Sequence, residues 1–415
     1  MNNALRLRLY KYDWLEEHPG LTAKEANKLV PEYGITLIDI VPKLEVLYRN
    51  KEDINEILEY LGAKVKRDGL VMEIDSSSIV NKEIPEDISK KLRASYYFMS
   101  SLLGKYKKVE MYFPGGCSIG ARPIDQTLKG YRALGATVIE EGNKSTVSAE
   151  ELKGAEVYLD MPSVGATVNT ILVAVKAKGV TVIENAAKEP EIVNVATFLN
   201  NMGAKITGAG TSTIHIEGVE YLGSCYTEVI PDRIETGTYI IAGALVGENL
   251  RIENIIPEHV DSLINKLKEM GVSIKEERDA VEITATENIK RVNVKTLGYP
   301  GFPTDLQQPL TTLLTQCSGQ SVLEETIYEN RFQNVPYLND MGANIEIDQR
   351  KIYINGPTKL VGKEVTATDL RAGASLVIAG LIAEGKTIID NADYILRGYE
   401  GIVEKLIVSK DVEVC

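Results

Sequence analysis

The sequence predicts an α/β protein of two domains, each assembled from three repeated helix–strand units. Three observations carry this: the chain is long, one short phrase returns about every seventy residues, and a second phrase led by glycine falls between its copies. A chain of 415 residues exceeds what one simple core fills, so two or three domains are expected. The first phrase reads Leu61-Gly62-Ala63-Lys64-Val65 and returns at Leu134, Met202, Met270 and Met341. The second, a glycine followed by strand-like alternation, starts at Gly34, Gly179, Gly247, Gly319 and Gly385, with Gly104 before Lys108-Val109-Glu110-Met111 as a fainter sixth.

Each unit reads alike. An apolar helix, such as Ala166 to Lys178 or Ala372 to Glu384, stops at a glycine able to take a left-handed cap, and a β-branched strand follows. An amphipathic helix with acidic residues near its start comes next, as in Pro190 to Met202 or Pro257 to Met270, and ends at Met-Gly or Leu-Gly before another short strand. Six such units close a core only by packing on neighbours. Two groups of three, 1–229 and 230–415, divide near Val229-Ile230-Pro231.

Composition narrows the function. A hydrophobic share of 44% with 25% charged residues is that of a folded globular chain rather than a disordered one. The formal charge of -13 argues against a polyanion-binding surface and so against nucleic acid as a partner, while a local arginine cluster could still hold a small anion. Cysteines at 117, 225, 317 and 415 form no CxxC pair, which disfavours zinc and disulfide frameworks and suits a reducing cytoplasm. No apolar run approaches a membrane span, and the start carries no basic-then-apolar signal. A soluble cytoplasmic protein is expected.

The stretch with the strongest chemical content is Pro114-Gly115-Gly116-Cys117-Ser118-Ile119-Gly120-Ala121-Arg122-Pro123. Its glycines and bracketing prolines break helix and strand alike, so it must be a loop. A thiol five residues from a guanidinium in such a loop suits a mobile proton; an ordinary turn with an incidental cysteine is the alternative. Arg93, Arg331, Arg371 and Arg397 stand near places where loop passes to helix, where free backbone N–H groups and a guanidinium together make an anion site. Each alone reads as a surface ion pair; together they read as a trap for phosphate and carboxylate. Asp305, in Gly301-Phe302-Pro303-Thr304-Asp305, has no basic neighbour in sequence and reads either as a helix N-cap or as an acceptor of a substrate hydroxyl proton. Ser163-Val164-Gly165-Ala166-Thr167 offers small residues for close approach to a ligand, and His18, His215 and His259 are too scattered to suggest a site.

The phrases PGGCSIGARP, PSVGAT, ENAAKEPEIV, PDRIETGTY, GFPTD, YENRF, ATDLRA and LRGYE, in that order, resemble the UDP-N-acetylglucosamine 1-carboxyvinyltransferase family from about residue 52 to 405. The resemblance implies the enolpyruvyl transferase fold: two inside-out, barrel-like α/β domains of three units each, with the active site in the interdomain cleft. It implies transfer of the enolpyruvyl group of phosphoenolpyruvate to the 3-hydroxyl of UDP-N-acetylglucosamine, the first committed step of peptidoglycan synthesis, by a cytoplasmic monomer without metal or organic cofactor. Cys117 matches the proton donor to the methylene carbon, Asp305 the acceptor of the hydroxyl proton, and Arg122 and Arg397 phosphate-binding arginines. Arg93, Arg331 and Arg371 match others lining the cleft. Pro123, Ser163, Val164 and Gly165 match the segment that holds the nucleotide, and Ile327 and Asp369 match further substrate positions.

The opening fifty residues depart from the family pattern. Met1 falls where the family has the lysine of a Gly-Ala-Lys-Asn phrase, and Asn2 stands in for its asparagine. The expected consequences are one cation fewer and an exposed strand edge in the second domain. Three readings stay open: an active transferase, a non-catalytic UDP-sugar-binding paralogue, and a truncated or frame-shifted start. An enolpyruvyl transferase acting on shikimate 3-phosphate is the runner-up.

Overall fold

The Leu/Met-Gly phrase ends helices. Gly62, Gly135, Gly203, Gly271 and Gly342 have φ between +89° and +109°, the left-handed region that a side chain resists. They follow the helices Lys51–Leu61, Asp125–Ala133, Pro190–Asn201, Asp261–Glu269 and Val335–Asp340. The structure, a computed structural model, describes residues 6–7, 36–39, 51–68, 71–115, 123–247, 249–407 and 412–414. After each of these glycines the chain makes an antiparallel hairpin, for example Lys205–Thr207 with Thr213–Glu217 and Asn344–Asp348 with Lys351–Gly356.

The glycine-led phrase is less uniform than its sequence. Gly179, Gly319 and Gly385 take positive φ ahead of the strands Val180–Glu184, Gly319–Glu324 and Thr387–Asp390. Gly247 has φ -73° and is extended. Gly104 lies inside the helix Tyr97–Tyr106, and the left-handed cap there is Lys107, with φ +60°. Pro257 to Met270, expected as one helix, is a tight turn, Pro257–Val260, followed by Asp261–Glu269.

The described residues fall into two units, meeting in sequence at Ile230 and Pro231. In the unit of residues 51–230, the helices Tyr97–Tyr106 and Val164–Ala174 pack on each other, and Asp125–Ala133 packs on the latter. Ser100, Tyr131 and Asn169 join these helices by buried hydrogen bonds, Ser100 Oγ lying 2.7 Å from the Tyr131 hydroxyl. Ile171, Val175, Leu199 and Ile214 belong to the apolar core around them.

In the other unit, the helices Arg233–Val246, Gln307–Leu314 and Leu370–Ile382 pack pairwise at the centre, almost wholly buried. Each contacts strands of a separate sheet: Leu250–Glu253 with Ala280–Thr284, Gly319–Glu324 with Lys351–Gly356, and Thr387–Asp390 with Val412–Val414. Helices within and sheets around them explain why the central helices read apolar on every side. Among the described residues the sheets stay separate and do not close into a barrel.

One sheet plan recurs. A hairpin lies antiparallel to the glycine-led strand, whose other edge takes a parallel strand, as in the order Lys205–Thr207, Thr213–Glu217, Val180–Glu184, Glu156–Tyr158. The sheet built on Leu250–Glu253 has the same order, but its parallel strand is Thr36–Asp39, two hundred residues earlier. The Gly34 phrase therefore does not play the part of the Gly179 phrase. It covers the backbone groups along one edge of Leu250–Glu253, in the unit that the sequence reading expected to be left with an open edge.

Candidate active site

Asp305 sits in the turn Thr304–Leu306 that Pro303 leads into the helix Gln307–Leu314. It is not an N-cap: Pro303 holds that place, without a side-chain bond. Its carboxylate instead meets two guanidinium groups from distant parts of the chain. Arg331 donates to Oδ1, and Arg371 Nη2 lies 3.3 Å from Oδ2. The arginine side chains are 2% and 11% exposed, against 39% for Asp305, so the charges are anchored from below and the carboxylate faces outward. Burial pushes the Asp305 carboxyl up, but the charges of Arg331 and Arg371, a hydrogen bond from Arg331 and the charge of Arg233 outweigh it. The group is held well below the usual carboxylate range.

The helix Leu370–Ile382 aims Arg371. Asp369 caps it, its Oδ1 accepting from the N–H groups of Arg371 at 2.8 Å and Ala372 at 3.1 Å, while Gln308 donates to Oδ2 at 3.4 Å. Asp369 is thereby committed to shaping the helix start. Arg371 Nη1 donates to the buried Tyr399 hydroxyl at 2.9 Å, and that hydroxyl lies 3.0 Å from Thr238 Oγ1. Two cations on one carboxylate leave a positive surplus, which suits a small anion with more than one negative charge.

Arg397 is placed differently. It follows the short helix Asp393–Leu396 at its C-terminal end, is exposed, and stands 5.8 Å from the Tyr394 ring. Among the described residues no carboxylate pairs with it. Ile327 is exposed on the loop before Arg331.

The unit of residues 51–230 brings a second set together. Ser163 caps the helix Val164–Ala174, its Oγ accepting from Ala166 N at 3.3 Å. Gly165, in the first turn, lies so close to Tyr96 that a Cβ there would fall 1.5 Å from the phenol oxygen. Arg93, half-buried, lies over the same Tyr96 ring at 5.2 Å. Pro123 is exposed just ahead of the helix Asp125–Ala133. Cys117, Arg122 and Asn2 lie outside the described residues. Cys317 is wholly buried and its thiol is pushed up to about 12 by that burial, so it is no nucleophile.

Sequence reasoning missed Glu325 and gave Tyr399 no role. Glu325 is one acid among 59 and follows another, Glu324, so no signal in the sequence marks it. Among the described residues no group of three or more His, Cys, Asp or Glu could hold a metal, and no helix is long and apolar enough to cross a membrane.

Comparison with known proteins bears on this geometry. Residues 48–406 match the family described as EPSP synthase (3-phosphoshikimate 1-carboxyvinyltransferase). The chain is 52% identical over 373 residues to UDP-N-acetylglucosamine 1-carboxyvinyltransferase 2 of Listeria monocytogenes, covering 88% of each chain. It is 52% identical over 353 residues to the protein of the same name from Geobacillus kaustophilus, covering 85% of this chain and 82% of that one. Among solved structures it resembles the enolpyruvyl transferase NikO from Streptomyces tendae, with TM-score 0.80 at 24% identity over 89% of this chain and 94% of that one. An EPSP synthase from Acinetobacter baumannii has the same fold, with TM-score 0.65 at 18% identity over the same shares.

Proposed function

The chain belongs to the 1-carboxyvinyltransferase family, within it to the UDP-N-acetylglucosamine 1-carboxyvinyltransferases, and from that premise we propose that it transfers the enolpyruvyl group of phosphoenolpyruvate to the 3-hydroxyl of UDP-N-acetylglucosamine, releasing phosphate. The observation that carries the reading is Asp305 held between Arg331 and Arg371, in a chain half identical to relatives of that name over nearly its whole length. The reaction is the first committed step of peptidoglycan synthesis and serves cell-wall growth, cell shape and division. The working form is a cytoplasmic monomer whose two three-unit halves divide near residue 230, with the strand Thr36–Asp39 serving the second half.

The steps balance without a redox partner. The Cys117 thiol gives a proton to the methylene carbon of phosphoenolpyruvate, and positive character builds at the adjacent carbon. The sugar hydroxyl attacks that carbon while Asp305 takes its proton, giving a tetrahedral phospho-ketal. The new methyl group then returns a proton to the Cys117 thiolate, the carbon–oxygen bond to phosphate breaks, Asp305 passes its proton to the departing phosphate, and the vinyl ether is left. Arg331 and Arg371 oppose the carboxylate of the small substrate, and Arg93, Arg122 and Arg397 its phosphate. An anion competing for Arg331 and Arg371 would also weaken their hold on Asp305, restoring the basicity that the ion pairs suppress. Pro123, Ser163, Val164, Gly165, Ile327, Asp369 and Asn2 bind or shape the site for the sugar nucleotide.

The test is phosphate release from phosphoenolpyruvate with UDP-N-acetylglucosamine or shikimate 3-phosphate as acceptor. Release is expected with the first alone, and Cys117→Ala and Asp305→Ala should each lower kcat by about 100-fold or more. Binding of the nucleotide sugar without release, or release with the second acceptor, would overturn the reading.

A further inference from the structure

Glu325 is a carboxylate with no exposed surface and, among the described residues, no cationic partner. A lone buried charge costs several kcal/mol unless hydrogen bonds replace its water. Four donors do so here. Oε1 accepts from Thr296 Oγ1 at 2.9 Å, from Ile327 N at 2.8 Å and from Tyr328 N at 3.3 Å; Oε2 accepts from Thr304 Oγ1 at 2.8 Å. Thr296 reinforces the same loop, its Oγ1 accepting from Thr326 N at 2.9 Å and its carbonyl from Thr326 Oγ1 at 2.6 Å. One side chain thus ties three segments: the end of the strand Asn293–Lys295, the turn that carries Asp305, and the loop that carries Ile327 and leads to Arg331.

An acceptor-only group is the chemistry this junction needs. A glutamine could keep its oxygen on the loop amides, but its NH₂ would then face Thr304 Oγ1, and the hydroxyl would have to turn and accept. An apolar residue would leave two part-buried amides and the Thr304 hydroxyl without this acceptor.

We propose that Glu325 is a positioning residue for the transferase, setting Asp305 through Thr304 and the nucleotide-sugar contact at Ile327 through the loop amides. The inference rests on the proposed activity. Its two oxygens serve two functions, so the two functions should separate. A displacement of the base by an ångström is enough to cost about 100-fold in rate.

The experiment compares Glu325→Ala, Glu325→Gln, Thr304→Val and Thr304→Ser in the full chain, measuring kcat for phosphate release, affinity for UDP-N-acetylglucosamine by calorimetry, and the melting midpoint. Thr304→Val should lower kcat by about 10- to 100-fold with affinity unchanged, and Thr304→Ser should behave as wild type. Glu325→Ala should lower kcat and weaken affinity by about tenfold, a loss of about 1.4 kcal/mol. Glu325→Gln should recover the affinity and only part of kcat.

Thr304→Val turning over like wild type overturns the proposal, as do Glu325 variants that melt lower with kcat and affinity intact. A wild-type chain that binds the nucleotide sugar and releases no phosphate refutes the transferase reading instead. The affinities of Glu325→Ala and Glu325→Gln then still decide the loop arm.

Discussion

Asp305 shows how strongly a residue's chemistry depends on neighbours far away in the chain. By itself it is an acid after a proline turn; with Arg331 and Arg371 in place it is a carboxylate that resists protonation. The sign of the stability effect follows. A carboxyl held below its ordinary value of 3.8 stabilises the fold above that value, and the contribution is lost as pH falls through the lowered one. Asp305→Asn should therefore melt below wild type at pH 7, with a gap that narrows below about pH 4. Calorimetry across that range reads this directly, and a gap independent of pH would contradict it. Solvent screens the partly exposed carboxylate, so the gap at pH 7 should be modest.

Among the elements, the repeated glycines differ in what surrounds them. Gly271 has φ +90° and open space where a Cβ would stand, so Gly271→Ala carries only the backbone strain, about 1 kcal/mol. Gly342 has φ +109°, and its Cβ would lie 2.8 Å from the Lys359 carbonyl oxygen, a backbone atom that cannot swing away. Gly342→Ala should cost measurably more in urea unfolding; equal costs would mean the contact relaxes freely. The repeat phrase alone marks where each helix stops, because left-handed geometry is a local demand that one residue type meets. It does not tell the two sites apart, since the crowding comes from Lys359. For the same reason Gly104 misleads: its spacing suits a cap, while the buried helix runs on to Lys107.

For the whole molecule, each unit has its own apolar core, and the N-terminal strand Thr36–Asp39 joins the unit of residues 231–415 by pairing with Leu250–Glu253. A chain begun at Lys51 should lose that pairing. Its amides across Leu250–Glu253 should exchange with deuterium faster, and those of Val180–Glu184, flanked by Glu156–Tyr158 and Thr213–Glu217, should be unchanged. Equal exchange at Leu250–Glu253 in both chains would show that the strand adds nothing there. The repeats, the helix stops at Gly62 through Gly342, the apolar helices, and the arginines and acid worth watching are legible in the chain before it folds, because periodicity and local backbone geometry are written in neighbouring residues. Folding alone reveals that Arg331 and Arg371 close on Asp305, that Glu325 ties the Asp305 turn to the loop leading to Arg331, and that the Gly34 strand serves a sheet about two hundred residues on. Those are pairings between distant segments, and a charge or an open strand edge carries no mark of which partner will reach it.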